Sequence, residues 1–292
     1  MNGIGNFRAL SARVRDCICA ATVVAVCAVF TTPRRVGADQ TPDLSTRAVV
    51  RQTASYVERY QRDFAFLVAD EDYRQHVDYN DGRPSQTRRL RGEMFVTYLE
   101  SDRAWTAVHD IAEVDGQPIP DRDDLRELLS QSSVSSIATR VFSRNARYNL
   151  GSIVRTFNDP LLSLVIFSDR HIDRFSFERR AIDRQNGTVL VELTFKEKER
   201  PTLVRTIDGL PIFLHGTLSV DPATGTIHRA QVQIDDAIKV LLDTTFAMDV
   251  SVQRWVPTSF NERYEALTPH EVVTGQATFR NYRKFQVTGR IK

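Results

Sequence analysis

The chain has 292 residues, 26% of them charged and 41% hydrophobic, with a formal net charge of +2. This balance excludes a disordered or collagen-like chain, and the length leaves room for a sizeable core. All three cysteines, Cys17, Cys19 and Cys27, precede Phe30, which excludes a disulfide scaffold, a thiolate metal site or a cysteine nucleophile in the rest of the chain.

Arg8, Arg13 and Arg15 stand before an apolar run from Cys17 to Phe30, and Val36-Gly37-Ala38 sets small residues where a signal peptidase needs them. This order reads as a secretory signal peptide over residues 1–38, cleaved after Ala38. The run is shorter than the about 20 apolar residues of a bilayer span. Val26, ahead of Cys27, is larger than a lipid-attachment site prefers. Processing removes five arginines and Asp16, so the formal charge passes from +2 to −2, and bulk charge then gives no case for a nucleic-acid partner. The expected product is one periplasmic or secreted domain over residues 39–292.

From Asp39 to Leu44 the chain is polar and reads as a tether. Ser45 or Thr46 caps a helix expected to run to about Gln75, because Val50, Val57, Tyr60, Phe64, Leu67 and Val68 recur at helical spacing. Asn80-Asp81-Gly82-Arg83-Pro84 is a turn, and Leu90, Met94, Val96 and Tyr98 alternate as in a half-buried strand. A second strand over Ala104 to Val114 pairs back through Ser101-Asp102. A helical insertion follows at about 121–167. Its apolar positions are Leu125, Leu128 and Leu129, then, beyond the serine-rich piece Ser130 to Ser136, Val134, Ile137, Val141 and Phe142. Gly151 reads as a stop. Leu161 to Phe167 fits a short helix or a buried strand, helix slightly favoured.

Period two returns at Phe175 and lasts to the end. Val189, Val191, Leu193 and Phe195 alternate after Asn186-Gly187. The segment Ile212 to Ile234 reads as a hairpin whose turn is opened by Asp221-Pro222 and closed by Gly225. With Val220 opposite Thr226, the following pairs are Leu218/His228, Gly216/Ala230, Leu214/Val232 and Ile212/Ile234, which puts nearly every apolar residue on one face. Val240, Leu242, Thr244, Phe246, Met248 and Val250 form the next strand. Val256, Thr258, Phe260 and Tyr264 form another, and Val273, Ala277, Phe279, Phe285 and Val287 the last. The fold class is therefore α+β, a single antiparallel sheet with helices packed on a face.

Motifs for chemistry are sparse. The six histidines, His76, His109, His171, His215, His228 and His270, include no HExxH pair, and no calcium-loop spacing or GxSxG elbow occurs. No metal or cofactor is expected. Asp235-Asp236 reads as an acidic turn rather than an acid/base pair, since adjacent strand residues face opposite ways. The basic clusters Arg88, Arg89 and Arg91, Lys196, Lys198 and Arg200, and Arg280, Arg283, Lys284, Arg290 and Lys292 are interleaved with strand residues. They read as a solvated sheet face or edge, with a membrane surface as the sharper alternative. Phe246, Met248, Trp255 and Phe279 line a ligand cavity or are plain core.

The order of elements resembles the half-barrel fold of the periplasmic lipoprotein carriers LolA and LolB and of the sensor RseB. The segments Val220-Asp221-Pro222-Ala223-Thr224-Gly225, Trp255-Val256-Pro257-Thr258-Ser259-Phe260 and Gly275 to Phe285 carry the resemblance, and they also resemble a group of secreted acidobacterial proteins. The resemblance implies a sheet curved into an open gutter, with helices on its concave side enclosing an apolar cavity. It implies a non-enzymatic protein that binds a lipid, an acyl chain or a lipoprotein; the alternatives are an envelope protein-interaction or sensor module and, third, a hydrolase. The ligand-binding residues expected on that basis are Leu125, Leu128, Val134, Ile137 and Val141 in the insertion with Phe246, Met248, Trp255 and Phe279 on the sheet.

Overall fold

Ser45 starts the first helix. Its hydroxyl accepts the Ala48 N–H at 3.3 Å, its own N–H donates to Asp43 Oδ1, and α1 (Thr46–Asp63) follows. These positions belong to a computed structural model that describes residues 42–63, 67–99, 104–120, 122, 125, 134–153, 155, 159–185, 187–206, 208–266, 268 and 270–284. The expected leader and cleavage site lie outside them, as do Leu128, the expected Ser101-Asp102 turn and the expected strand end at Phe285 and Val287.

Eleven strands make one antiparallel sheet in the spatial order β4-β3-β2-β1-β13-β12-β11-β10-β9-β6-β5. They are β1 (Leu67–Tyr79), β2 (Gln86–Leu99), β3 (Ala104–Val114), β4 (Gln117–Pro118), β5 (Phe175–Gln185), β6 (Thr188–Glu197), β9 (His215–Val220), β10 (Ile227–Asp235), β11 (Ile238–Asp249), β12 (Arg254–Ala266) and β13 (Glu271–Lys284). The short strands β7 (Val204–Arg205) and β8 (Pro211–Ile212) pair separately as a ribbon. Further α-helices include α2 (Val134–Asn145) and α3 (Leu162–Ile166), with 3-10 turns at Ala146–Tyr148 and Ile172–Arg174.

The sheet is open and curved. In a flat sheet β3 and β10 would lie on the order of 29 Å apart, six spacings of about 4.8 Å, yet α3, a single helix about 10 Å across, touches both. The sheet therefore wraps around α3, whose residues are all buried. The main core forms inside that curve. Val49, Val57 and Tyr60 of α1 and Leu162, Leu164 and Ile166 of α3 meet Val96, Leu193, Leu218, Val232, Leu242, Phe260 and Val273 of the sheet.

Three expectations need correction. The first helix stops at Asp63, and Leu67 to Gln75, expected as helix, belong to β1. The hairpin keeps the expected face for Ala230 to Ile234 but not the register: Val220 faces Ile227, one residue further along, and a bulge then makes the shift two, with Ala230 opposite Leu218 and Val232 opposite Gly216. Its upper end departs altogether, because the buried Glu197 carboxylate accepts the N–H groups of Leu203 and Leu214, turning the chain out of the sheet so that Ile212 pairs with Val204. Finally, α2 is not on the concave side. Leu125, Ile137 and Val141 pack with Val68, Phe95 and Val108, the outward-facing residues of β1 to β3. Arg122 and Arg144 fasten this layer through the buried Asp110 at 2.7 and 2.9 Å.

Gly225 shows why one turn residue matters. It has φ +79°, and a Cβ there would lie 2.2 Å from the Gln52 carbonyl oxygen. The glycine thus allows both the left-handed turn and the close approach of α1, which Gln52 completes by donating from Nε2 to the Ala223 carbonyl at 3.0 Å.

Candidate functional site

Three polar side chains, Glu71, Tyr73 and Gln75, occupy successive inward positions of β1, where an apolar row is otherwise the rule. Opposite Glu71 stands Gly92, and opposite Gly92 stands Ile111. With no side chain at Gly92, Glu71 reaches diagonally to His109, whose Nδ1 lies 2.8 and 2.9 Å from the two carboxylate oxygens. A Cβ at Gly92 would also lie 2.1 Å from the Asp110 carbonyl oxygen, so the position accepts only glycine.

On the other side of β1 the inward row continues through Gly275 to Glu262. Glu262 is fully buried and accepts from Tyr73 Oη, from Tyr264 Oη at 3.0 Å and from Arg155 at 3.1 Å. The Arg155 guanidinium, also fully buried, reaches Tyr73 Oη at 3.0 Å and Gln75 Oε1 at 2.6 Å as well. Gly275 makes room for this knot, since a Cβ there would lie 2.5 Å from both Glu262 Oε1 and Tyr73 Oη. Burial, and then the Glu262 carboxylate, push the Tyr73 and Tyr264 hydroxyls well above the ordinary tyrosine range, so both donate as neutral phenols.

The segment after α2 closes over this face. Asn145 donates from Nδ2 to the His109 carbonyl at the open edge of β3, and Asp159 accepts the Ala107 N–H on the same edge at 3.0 Å. These two side chains cap an edge that β4 leaves mostly unpaired. Beyond Asn145 the chain is sewn to the inner face. Leu150 N–H donates to Gln75 Oε1, while Glu271 Oε1 accepts from Ser152 N, Ser152 Oγ and Ile153 N.

Between this segment and β1 to β3 lies a cavity of about 530 Å³. Leu90, Ile111, Phe142, Phe260 and Ala277 form its apolar wall; Glu71, Tyr73, Arg91, His109, Ser152 and Arg155 form the polar part of its lining. Such a size and mixture suit a small ligand or a single chain of an amphiphile.

His109 carries the main electrostatic feature. Burial pulls its pKa down, but the Glu71 charge and hydrogen bond, with Asp159 and Glu262 further off, outweigh that and raise it above the ordinary value. A raised folded-state value means that the pair's stabilisation is complete below the unfolded pKa of about 6.5 and is lost as pH rises through the folded pKa. NMR titration of the His109 ring is expected to give a midpoint above about 6.5 in the native protein. In Glu71→Gln the midpoint should drop markedly, because burial then acts with less opposition; an unchanged midpoint would reject the pairing.

Among the described residues, none of the ligand-binding positions expected from sequence lines this cavity. Leu125, Ile137 and Val141 are on the outer face, and Leu128 and the Val134 side chain lie outside the described residues. Phe246 and Phe279 are filled core, Trp255 is half-buried with its ring 4.2 Å from that of His228, and Met248 is 51% exposed. The residues that do meet here, Glu71, Tyr73, His109, Arg155 and Glu262, carry no motif. A retrievable signal was the row Glu71, Tyr73, Gln75 at period two, hidden by its own polarity.

A scan against protein-family models finds no match, and a search of the curated proteins finds none. Among solved structures the chain is similar to a putative outer membrane lipoprotein-sorting protein domain from Vibrio parahaemolyticus, at 10% identity and a TM-score of 0.35, over 82% of this chain and 93% of that one. It is similar to a DUF1329 family protein from Desulfovibrio piger at 11% identity and a TM-score of 0.34, over 80% and 92%. A LolA superfamily protein from Nitrosomonas europaea is similar at 10% identity and a TM-score of 0.33, over 84% and 95%. No residue of those chains is carried over to this one.

Proposed function

We propose that this is a periplasmic or secreted, non-enzymatic binding protein for an amphiphile: a lipid, a free acyl chain or the acyl chain of a lipoprotein. The observation that carries the reading is the cavity of about 530 Å³, with one apolar wall and a polar part, at the end of the curved sheet. The buried carboxylates beside it favour binding over reaction, because Glu262 and Glu271 each already accept three hydrogen bonds and hold the structure around the cavity.

A fluorescent acyl probe tests this. Binding at micromolar concentration is expected, with Phe142→Asp weakening it about tenfold or more and Met248→Asp, on an exposed side chain away from the cavity, leaving it unchanged. A folded protein that binds no acyl probe would sink the reading. In its place would stand an interaction module, which the exposed Leu210 and Phe213 around the β7–β8 ribbon favour.

The extracytoplasmic part of the proposal rests on the leader. Among the described residues no helix is long and apolar enough to cross a membrane. Edman sequencing of secreted material is expected to begin at Asp39. Recovery of the chain only with its leader intact, in the membrane fraction, would refute that.

A further inference from the structure

The lining of the cavity is uneven in charge. Among its described residues Glu71 is the one acid, against Arg91, His109 and Arg155. Most of these groups are committed elsewhere. Glu71 presents both oxygens to His109 Nδ1, Arg155 is held by Glu262, Tyr73 and Gln75, and Arg91 leans towards Glu113 at 3.7 Å. Arg155 keeps its buried Nε without a partner, and His109 has only one of its two ring nitrogens engaged. Nδ1 faces Glu71, and among the described residues no protein group takes Nε2, although the ring lines the cavity. A carboxylate on Nδ1 fixes the ring with a proton there and turns Nε2 outward.

We propose that His109 is the headgroup-binding residue of this cavity: its Nε2 receives the carboxylate of a single-chain fatty acid, whose chain lies against Leu90, Ile111, Phe142 and Phe260. The inference rests on the amphiphile reading above and adds the class of ligand to it. The raised pKa of His109 supports it, since the imidazolium carries a proton on each nitrogen and Nε2 then donates to an anion. Glu71 acts through the ring, as a positioning residue. Among the described residues a cationic head has no such partner, because Glu71, the one acid among the described lining residues, already faces His109.

The test uses three ligands of equal chain length, hexadecanoic acid, hexadecanol and hexadecyltrimethylammonium, titrated below their micelle concentrations into the full processed chain near pH 6. The acid is expected to bind at least about tenfold tighter than the alcohol, the scale of one charge-assisted hydrogen bond, and the cation more weakly than either. His109→Gln should lose the preference for acid while keeping the affinity for alcohol, which also reports that the variant is folded. The His109 Nε2 resonance of the native protein should shift on adding acid and not on adding alcohol, a readout that needs no variant. If all three ligands bind equally, or the Nε2 resonance ignores the acid, the headgroup assignment is overturned while the cavity reading stands. If none binds, both fall together.

Discussion

Arg155→Met is expected to lower the unfolding free energy by about 3–5 kcal/mol, the usual cost of removing one partner of a buried ion pair. Both side chains of the pair are fully buried, so the variant leaves the Glu262 carboxylate with only the Tyr73 and Tyr264 hydroxyls as donors. It also deprives Gln75 Oε1 of a donor and frees the loop that Arg155 anchors through the Leu150 carbonyl. The pair itself need not be net stabilising, since its desolvation cost rivals its attraction. The double variant Arg155→Met/Glu262→Leu should therefore recover a large part of the loss. Urea denaturation of the single and double variants checks this. A single variant within about 0.5 kcal/mol of wild type would mean that the site is open to water.

Leu214→Asp is expected to be comparably severe, with a loss of several kcal/mol. Leu214 is fully buried, its N–H is held by the Glu197 carboxylate, and its side chain belongs to the core formed with the inner faces of β9 and β10. A second carboxylate introduced there has no donor of its own and stands near one that burial already makes harder to ionise. Leu210→Asp is the control. That residue lies close by in the chain, between β7 and β8, but is 62% exposed, and its substitution should stay within about 0.5 kcal/mol. Equal denaturation midpoints for the two variants would contradict the assigned burial of the segment.

Much of the sheet was legible in the sequence because its inner face is apolar where it meets α1 and α3. Val191, Leu193 and Phe195, or Val240 and Leu242, alternate with polar neighbours, and an alternating row read as a half-buried strand is right whatever covers it. Side-chain parity in the hairpin also held from Ala230 to Ile234, while Ile227, expected on the opposite face, is buried opposite Val220. The register did not hold, because a bulge at Ile227 to Arg229 moves the pairing by whole steps without turning any core residue outward.

The site was illegible for a related reason. On β1 the inward positions Glu71, Tyr73 and Gln75 face the cavity and its hydrogen-bond network instead of apolar core, so the period of two vanished and the residues were absorbed into the preceding helix. The insertion shows the complementary failure. Its apolar stripe at Leu125, Ile137 and Val141 is read correctly as a face to be buried, but a stripe does not state which surface buries it, and an outward patch of Val68, Phe95 and Val108 was available. Composition and periodicity thus determined the strand-rich class and most strand faces, which follow from local alternation and solvent transfer. The joining of Glu71 with His109, and of Arg155 with Glu262 across 107 residues of chain, was decided by the tertiary structure alone. Pairing between charges distant in sequence leaves no periodic trace, and only the register of neighbouring strands and the closure of the loop over them bring such groups into reach.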